Sequence, residues 1–91
     1  MSIEFDPKKA ASNLKKHGVS FVEASSALLD PLALVLEDPD AHGESRFVLL
    51  GMSPQGRLLT VCYTLREESN IRLISAREAT HNEGKYYAQG I

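Results

Sequence analysis

Residues 46–75, RFVLLGMSPQGRLLTVCYTLREESNIRLIS, decide the fold. Three runs rich in branched and aromatic side chains, at 46–52, 57–65 and 70–75, are separated only by short polar stretches. Ser53-Pro54-Gln55-Gly56 has proline and glycine in turn positions, and 67–70 is a second polar turn. Strand runs joined by turns this short predict an antiparallel meander. The apolar run at 32–37 adds a further edge strand, so the expected sheet is four-stranded and antiparallel.

Upstream of the meander, residues 3–5 form a short extended start. Asp6-Pro7 then opens a helix, with Asp6 as N-cap and Pro7 in the first turn, where a missing N–H costs nothing. Ala10, Ala11, Leu14 and His17 fall near one helical face, and Gly18 is the natural stop. Ser20 and Glu23 have the spacing of a capping box for a second helix, with Val19 stapling towards Ala24. Asp30-Pro31 ends that helix, because the residue before proline avoids the helical region. Downstream, Ser75 and Glu78 repeat the capping-box spacing and predict a last helix from Ala76 to about Ala88. The expected order is β-α-α-β-β-β-β-α, a single α+β domain over residues 1–91.

A chain of 91 residues is one domain with a modest core. Its 43% hydrophobic and 24% charged residues are those of a globular protein. The net charge of −2 excludes a strong nonspecific nucleic-acid binder, so any RNA site has to be a local basic patch. Cys62, the single cysteine, reads as a small buried hydrophobe in a reducing compartment. The opening residues show neither the basic start nor the apolar stretch of a secretion signal, and no apolar run approaches the roughly 20 residues of a membrane span. A cytoplasmic location, away from membranes, is expected.

Basic residues gather in two places. Lys8, Lys9, Lys15 and Lys16 lie early, and Arg72, Arg77 and Lys85 lie late. On the expected last helix Arg77 sits in the first turn, where a cation opposes the helix dipole. Exposed N–H groups and a guanidinium there would form an anion cradle, and His81 and Lys85 would extend it at successive i+4 steps. A solvated face balanced by Glu78 and Glu83 accounts for the same pattern. Arg72 lies within a strand and needs a partner or a ligand. Arg46, with Glu44 close before it, poses the same choice between carboxylate pairing and phosphate binding. His17 closes the first helix, where a capping role suffices, although histidine also moves protons near neutral pH. The alternating Asp40, His42 and Glu44 would suit a small metal-binding domain, a weaker third reading, but they match no recognised ligand spacing, so no metal or other cofactor is expected. Tyr86 and Tyr87 offer a stacking surface or a phenol, with one of the two packing inward. A glycine-rich phosphate loop and a nucleophile elbow are both absent from the sequence.

Several segments together resemble one known family. Phe5-Asp6-Pro7-x-Lys9, Asn13-Leu14-x-Lys16-His17-Gly18-Val19-Ser20-Phe21 and Glu23-Ala24 are similar to the opening of BrnT proteins. Asp30-Pro31, Gly43-Glu44-x-Arg46-Phe47 and Arg72-x-Ile74-Ser75-Ala76-Arg77-x-Ala79 follow in the same order over nearly the whole chain. The resemblance implies a fold like that of RelE toxins, RNA cleavage with growth arrest, and neutralisation by a BrnA-like antitoxin. It also implies that operator DNA is contacted only through the antitoxin complex. By motif match Arg72 and Arg77 become the leading catalytic candidates, joined by His17 and Glu44, with Lys16 and Arg46 as RNA-binding candidates. The basic stripe on the expected last helix adds His81 and Lys85 to the RNA-binding set. The mechanism expected for such a site is metal-independent attack of the ribose 2′-OH on the adjacent phosphate, with His17, His81 and Glu44 as candidates for moving protons. Two positions depart from the family: Phe5 stands where tryptophan is frequent, and Gly84 where arginine is. Gly84 motivates the alternative of a catalytically weak interaction module that binds the antitoxin and assists operon autorepression.

Overall fold

The computed structural model describes residues 2–38, 45–67 and 69–90. The elements run β1 (Ser2–Glu4), α1 (Pro7–His17), α2 (Phe21–Ala27), β2 (Leu34–Glu37), β3 (Arg46–Met52), β4 (Leu58–Arg66), β5 (Asn70–Glu78) and α3 (His81–Gln89). The α+β class and the element order are those expected. The sheet is not: it has five strands in the order β1-β5-β4-β3-β2 and is mixed. The extended start pairs parallel with β5, Ser2 opposite Asn70 and Glu4 opposite Arg72. Two parallel neighbours need a long connection between them, and nearly the whole chain supplies it here.

Local signals set most boundaries. Asp6 accepts a hydrogen bond from the Lys8 N–H at 2.8 Å and caps α1, and Gly18 ends it with φ 71°. Ser20 caps α2 through the Glu23 N–H at 3.0 Å. The reciprocal half of the box is replaced, because the Glu23 carboxylate is drawn to Ser53 and Arg57 instead. On α1 the buried face is carried by Asn13 and half-buried Ala10, while Leu14 is 51% exposed.

The last helix begins later than expected. Strand β5 continues through Glu78, Ala76 sits opposite Val61, and the Ala79 N–H still bonds to the Leu58 carbonyl at 2.9 Å. The capping box that forms is Thr80 with Glu83. Two S/T-x-x-E signatures stand five residues apart, and pairing with β4 excludes the first. Arg77 is therefore a strand residue, and the basic stripe from Arg77 through His81 to Lys85 does not exist.

The core lies between one sheet face and α1 and α2. Leu49, Leu59, Val61, Tyr63, Ile71, Leu73 and Ala76 meet Val19, Phe21, Ala24 and Ala27. Phe5 packs edge-on against Phe21 at 5.3 Å between centroids, and Phe47 stacks on Tyr63 at 5.4 Å. Burial of a side chain such as Phe21 or Leu59 contributes about 1.5–3 kcal/mol. Strand β3 approaches α2 so closely that a Cβ on Gly51 would lie 2.4 Å from the Ala27 carbonyl oxygen, which only glycine avoids. Among the described residues no helix is long and apolar enough to cross a membrane.

Candidate functional site

The face turned away from α1 and α2 carries the arginines. Strict alternation would place Arg72 and Arg77, five residues apart, on opposite faces. A bulge between them prevents this. Cys62 pairs with Ser75 but Tyr63 pairs with Leu73, so β5 holds one extra residue, Ile74. Leu73 and Ala76 thereby both reach the core, and Arg72, Ser75 and Arg77 share the opposite face.

Strand register orders that face into rows. Arg46, Thr64, Arg72 and Glu4 are neighbours across β3, β4, β5 and β1. Val48, Cys62 and Ser75 form the next row, and Leu50, Thr60 and Arg77 the one after. Thr64 and Thr60 are four steps apart along β4, so the arginine backbones stand about 13 Å apart along the strand. The floor between them is Cys62 and Ser75, two small side chains that leave room above.

Each guanidinium has a carboxylate. Arg72 donates to Glu4 at 3.2 Å, and both groups are partly exposed. Arg77 grips Glu83 in a two-pronged pair at 2.8 and 3.0 Å and also donates to the Glu78 carbonyl at 3.2 Å. Glu83 accepts further bonds from the Thr60 hydroxyl at 3.0 Å and the Thr80 N–H at 2.8 Å. The Arg77 bonds, with help from Thr80 and Thr60, hold its carboxyl down at about 2 against the cost of burial. The same pairing holds Arg77 above its ordinary value. A carboxylate so weakly basic is a poor proton acceptor at neutral pH, so Glu83 orients Arg77. Arg77 has five N–H donors and uses three in these bonds, which leaves capacity for an anion.

The remaining candidates are less gathered. Lys16 and His17 are exposed at the end of α1, where they share an open pocket with Ile74 and Ser75 and so flank the floor from the β5 edge. Arg46 is exposed at the start of β3, on the Arg72 row. His81 and Lys85 are exposed on α3, separate from Arg77's strand. Glu44 lies outside the described residues, as do Asp40 and His42. Among the described residues, no group of three or more His, Cys, Asp or Glu side chains is placed to hold a metal ion. Cys62 is half-buried on the arginine face rather than in the core. The sequence reading missed Glu4, Thr60 and Ser75, and gave Glu83 no role beyond a balancing charge. For Thr60 the alternation Thr60-x-Cys62-x-Thr64 is the signal, since it gives one strand face small polar side chains where a second core face would be apolar. Glu4, Ser75 and Glu83 join the site through pairing between separate elements, which has no local signal.

Helix α3 lies across the far end of this face. Between it and the β2–β3 edge is a cavity of about 370 Å³ lined by Leu34, Leu36, Val48, Leu50, Glu83 and Tyr86. Tyr87 turns inward and donates to Asp30, whereas Tyr86 is 56% exposed.

Comparison with known proteins agrees with this architecture. A search of curated proteins finds no match. Among solved structures, the chain is similar to the Brucella abortus ribonuclease toxin BrnT, seen in a crystal structure at 1.1 Å resolution. The TM-score is 0.69 at 23% identity, over 89% of this chain and 99% of that one, a likeness of fold. The family described as the ribonuclease toxin BrnT of type II toxin–antitoxin systems matches residues 5–83. That match spans both arginines and every described element between α1 and the start of α3, and the chain belongs to the BrnT toxin family.

Proposed function

We propose that this chain is an endoribonuclease toxin whose site is the open sheet face bearing Arg72 and Arg77, neutralised in its host by a BrnA-like antitoxin. The observation that carries the reading is the bulge at Ile74, which brings two arginines of one strand to a single face above a floor of small side chains. Such a face suits a phosphodiester, because guanidinium groups bind phosphate oxygens in a planar, two-pronged manner.

The reaction is attack of a ribose 2′-OH on the adjacent phosphorus. The bond from phosphorus to the 5′-oxygen breaks, and a 2′,3′-cyclic phosphate remains. Arg72 and Arg77 stabilise the charge that develops on the phosphate oxygens, and Glu83 keeps Arg77 aimed. His17, His81 and Glu44 are the candidates for moving protons, and Lys16, Arg46 and Lys85 for holding neighbouring phosphates. Operator DNA is reached through the antitoxin complex.

Purified protein incubated with single-stranded RNA in excess EDTA is expected to leave cyclic-phosphate ends. Arg72→Ala should lower the rate at least about 100-fold, the scale of losing one preorganised charge donor. Arg72→Ala is the cleaner of the two substitutions, since its partner Glu4 is exposed and loses little. Undiminished cleavage by folded Arg72→Ala and Arg77→Ala proteins would remove this face from the mechanism. The two-pronged hold of Glu83 on Arg77 favours one second reading, an interaction module whose site is locked by its own carboxylate. In that case RNA stays intact while the antitoxin still binds.

A further inference from the structure

The cavity between α3 and the β2–β3 edge opens beside Arg77. Glu83 belongs to both, since it lines the cavity and holds the Arg77 guanidinium. Leu50, Thr60 and Arg77 are consecutive neighbours across the strands, so the cavity wall at Leu50 stands two strand spacings, about 10 Å, from the Arg77 backbone. The arginine side chain narrows that gap by reaching over Thr60 towards Glu83. The lining is aliphatic apart from Glu83, whose oxygens already accept from Arg77, Thr60 and Thr80, and Tyr86, an exposed ring beside leucines. A phosphate on Arg77 would carry its own nucleotide to this mouth.

We infer that the cavity is a nucleobase subsite in which Tyr86 is the stacking platform for a base next to the phosphate bound at Arg77. The inference rests on the ribonuclease reading above. With the polar groups of Glu83 already engaged, the subsite recognises a flat apolar face rather than base edges, so it favours single-stranded RNA and is tolerant of sequence. The volume of about 370 Å³ has room for one base against the Tyr86 ring, which forms part of the lining. Tyr86 is a binding residue here, and the face of its ring rather than its hydroxyl carries the contact.

The test is steady-state cleavage of a short single-stranded RNA by wild type, Tyr86→Phe and Tyr86→Ala, with binding followed by the fluorescence of 2-aminopurine placed beside the cut. Tyr86 is exposed, so both variants should fold. Tyr86→Ala is expected to raise KM about 5- to 100-fold with kcat little changed, and to abolish the quenching of the probe. Tyr86→Phe should match wild type in both. Wild-type KM and quenching in an active Tyr86→Ala protein would overturn the subsite and leave the ribonuclease reading standing. So would an unchanged KM together with loss of neutralisation by the antitoxin, which would assign the groove to the protein partner. Loss of kcat in Tyr86→Phe would show that the hydroxyl acts, against a stacking role. Wild type that neither cleaves nor binds RNA would remove the ribonuclease reading, and the subsite with it.

Discussion

Asn13 shows how much of this molecule hangs on one amide. It is 6% exposed, and its side chain donates to the Val19 carbonyl at 2.9 Å and the Ala76 carbonyl at 2.8 Å while accepting from the Ala76 N–H at 3.1 Å. Strand β1 pairs with β5 only as far as Arg72, and beyond it Asn13 supplies to Ala76 the donor and acceptor that a neighbouring peptide would. The segment around Asn13 and the segment around Ala76 both carry the family resemblance, and in the structure they are bonded to each other. Asn13→Ala leaves buried groups of Val19 and Ala76 unpaired, each worth about 1–3 kcal/mol. A loss of at least about 2 kcal/mol is expected in urea unfolding at neutral pH. A loss below about 0.5 kcal/mol would mean that water or a neighbouring group replaces the amide.

At the scale of elements, α3 carries both Glu83 and Tyr86, and it contains Gly84 in its interior. A Cβ there would meet only Leu58, at 4.0 Å, an ordinary contact, and no positive φ requires glycine. Gly84→Ala should therefore stabilise the protein by about 0.5–1 kcal/mol through the unfolded chain, read as a higher midpoint in thermal or urea unfolding. A lower midpoint would show that α3 needs its glycine. Element by element, the sequence was legible wherever a local signal met no tertiary competitor. Asp6, Gly18, Ser20 and the turn at 53–56 lie where their side chains and backbone preferences put them. The span 46–52 was read to the residue. Ser75 and Glu78 misled because an equally good cap at Thr80 lay just beyond, and hydrogen bonding to β4 chose between them. The bulge at Ile74 has no local signature, so the shared face of Arg72 and Arg77 could be reached only through the resemblance. The three-residue β1 gives no hint of its partner, which is about 68 residues away.

Over the whole molecule, three carboxylates tie together segments distant in sequence. Glu23 of α2, 8% exposed, accepts from Ser53 at 2.8 Å and from the Nε of Arg57 at 2.9 Å, and Arg57 also reaches the Gly18 carbonyl at 3.1 Å. Asp30 accepts from the Met52 N–H at 2.8 Å and from the Tyr87 hydroxyl, joining the end of α2 to β3 and α3. Glu83 joins α3 to β4 and β5 through Thr60 and Arg77. Each is held below its ordinary value: Glu23 chiefly by Arg57, Asp30 chiefly by Tyr87, and Glu83 chiefly by Arg77, to about 2 from 4.5. The folded values lie below the unfolded ones, so on acidification the unfolded chain takes up protons first. The stability these groups contribute is complete above the unfolded values near 4 and is lost as pH falls towards the folded ones. The urea midpoint should thus fall steadily from pH 4.5 towards pH 2, once the general acid response of the chain is subtracted with a variant. Glu83→Gln is that variant: it should start less stable at neutral pH and lose less on acidification, so the two curves converge near pH 2. Parallel curves would mean that the Arg77–Glu83 pair does not couple α3 to the sheet. On the proposed ribonuclease function Glu83 also aims Arg77, so the same variant should lower RNA cleavage at pH 7, where the fold is intact. Convergent stability curves without that loss would confine the pair to the fold and leave Arg77 to work unaided.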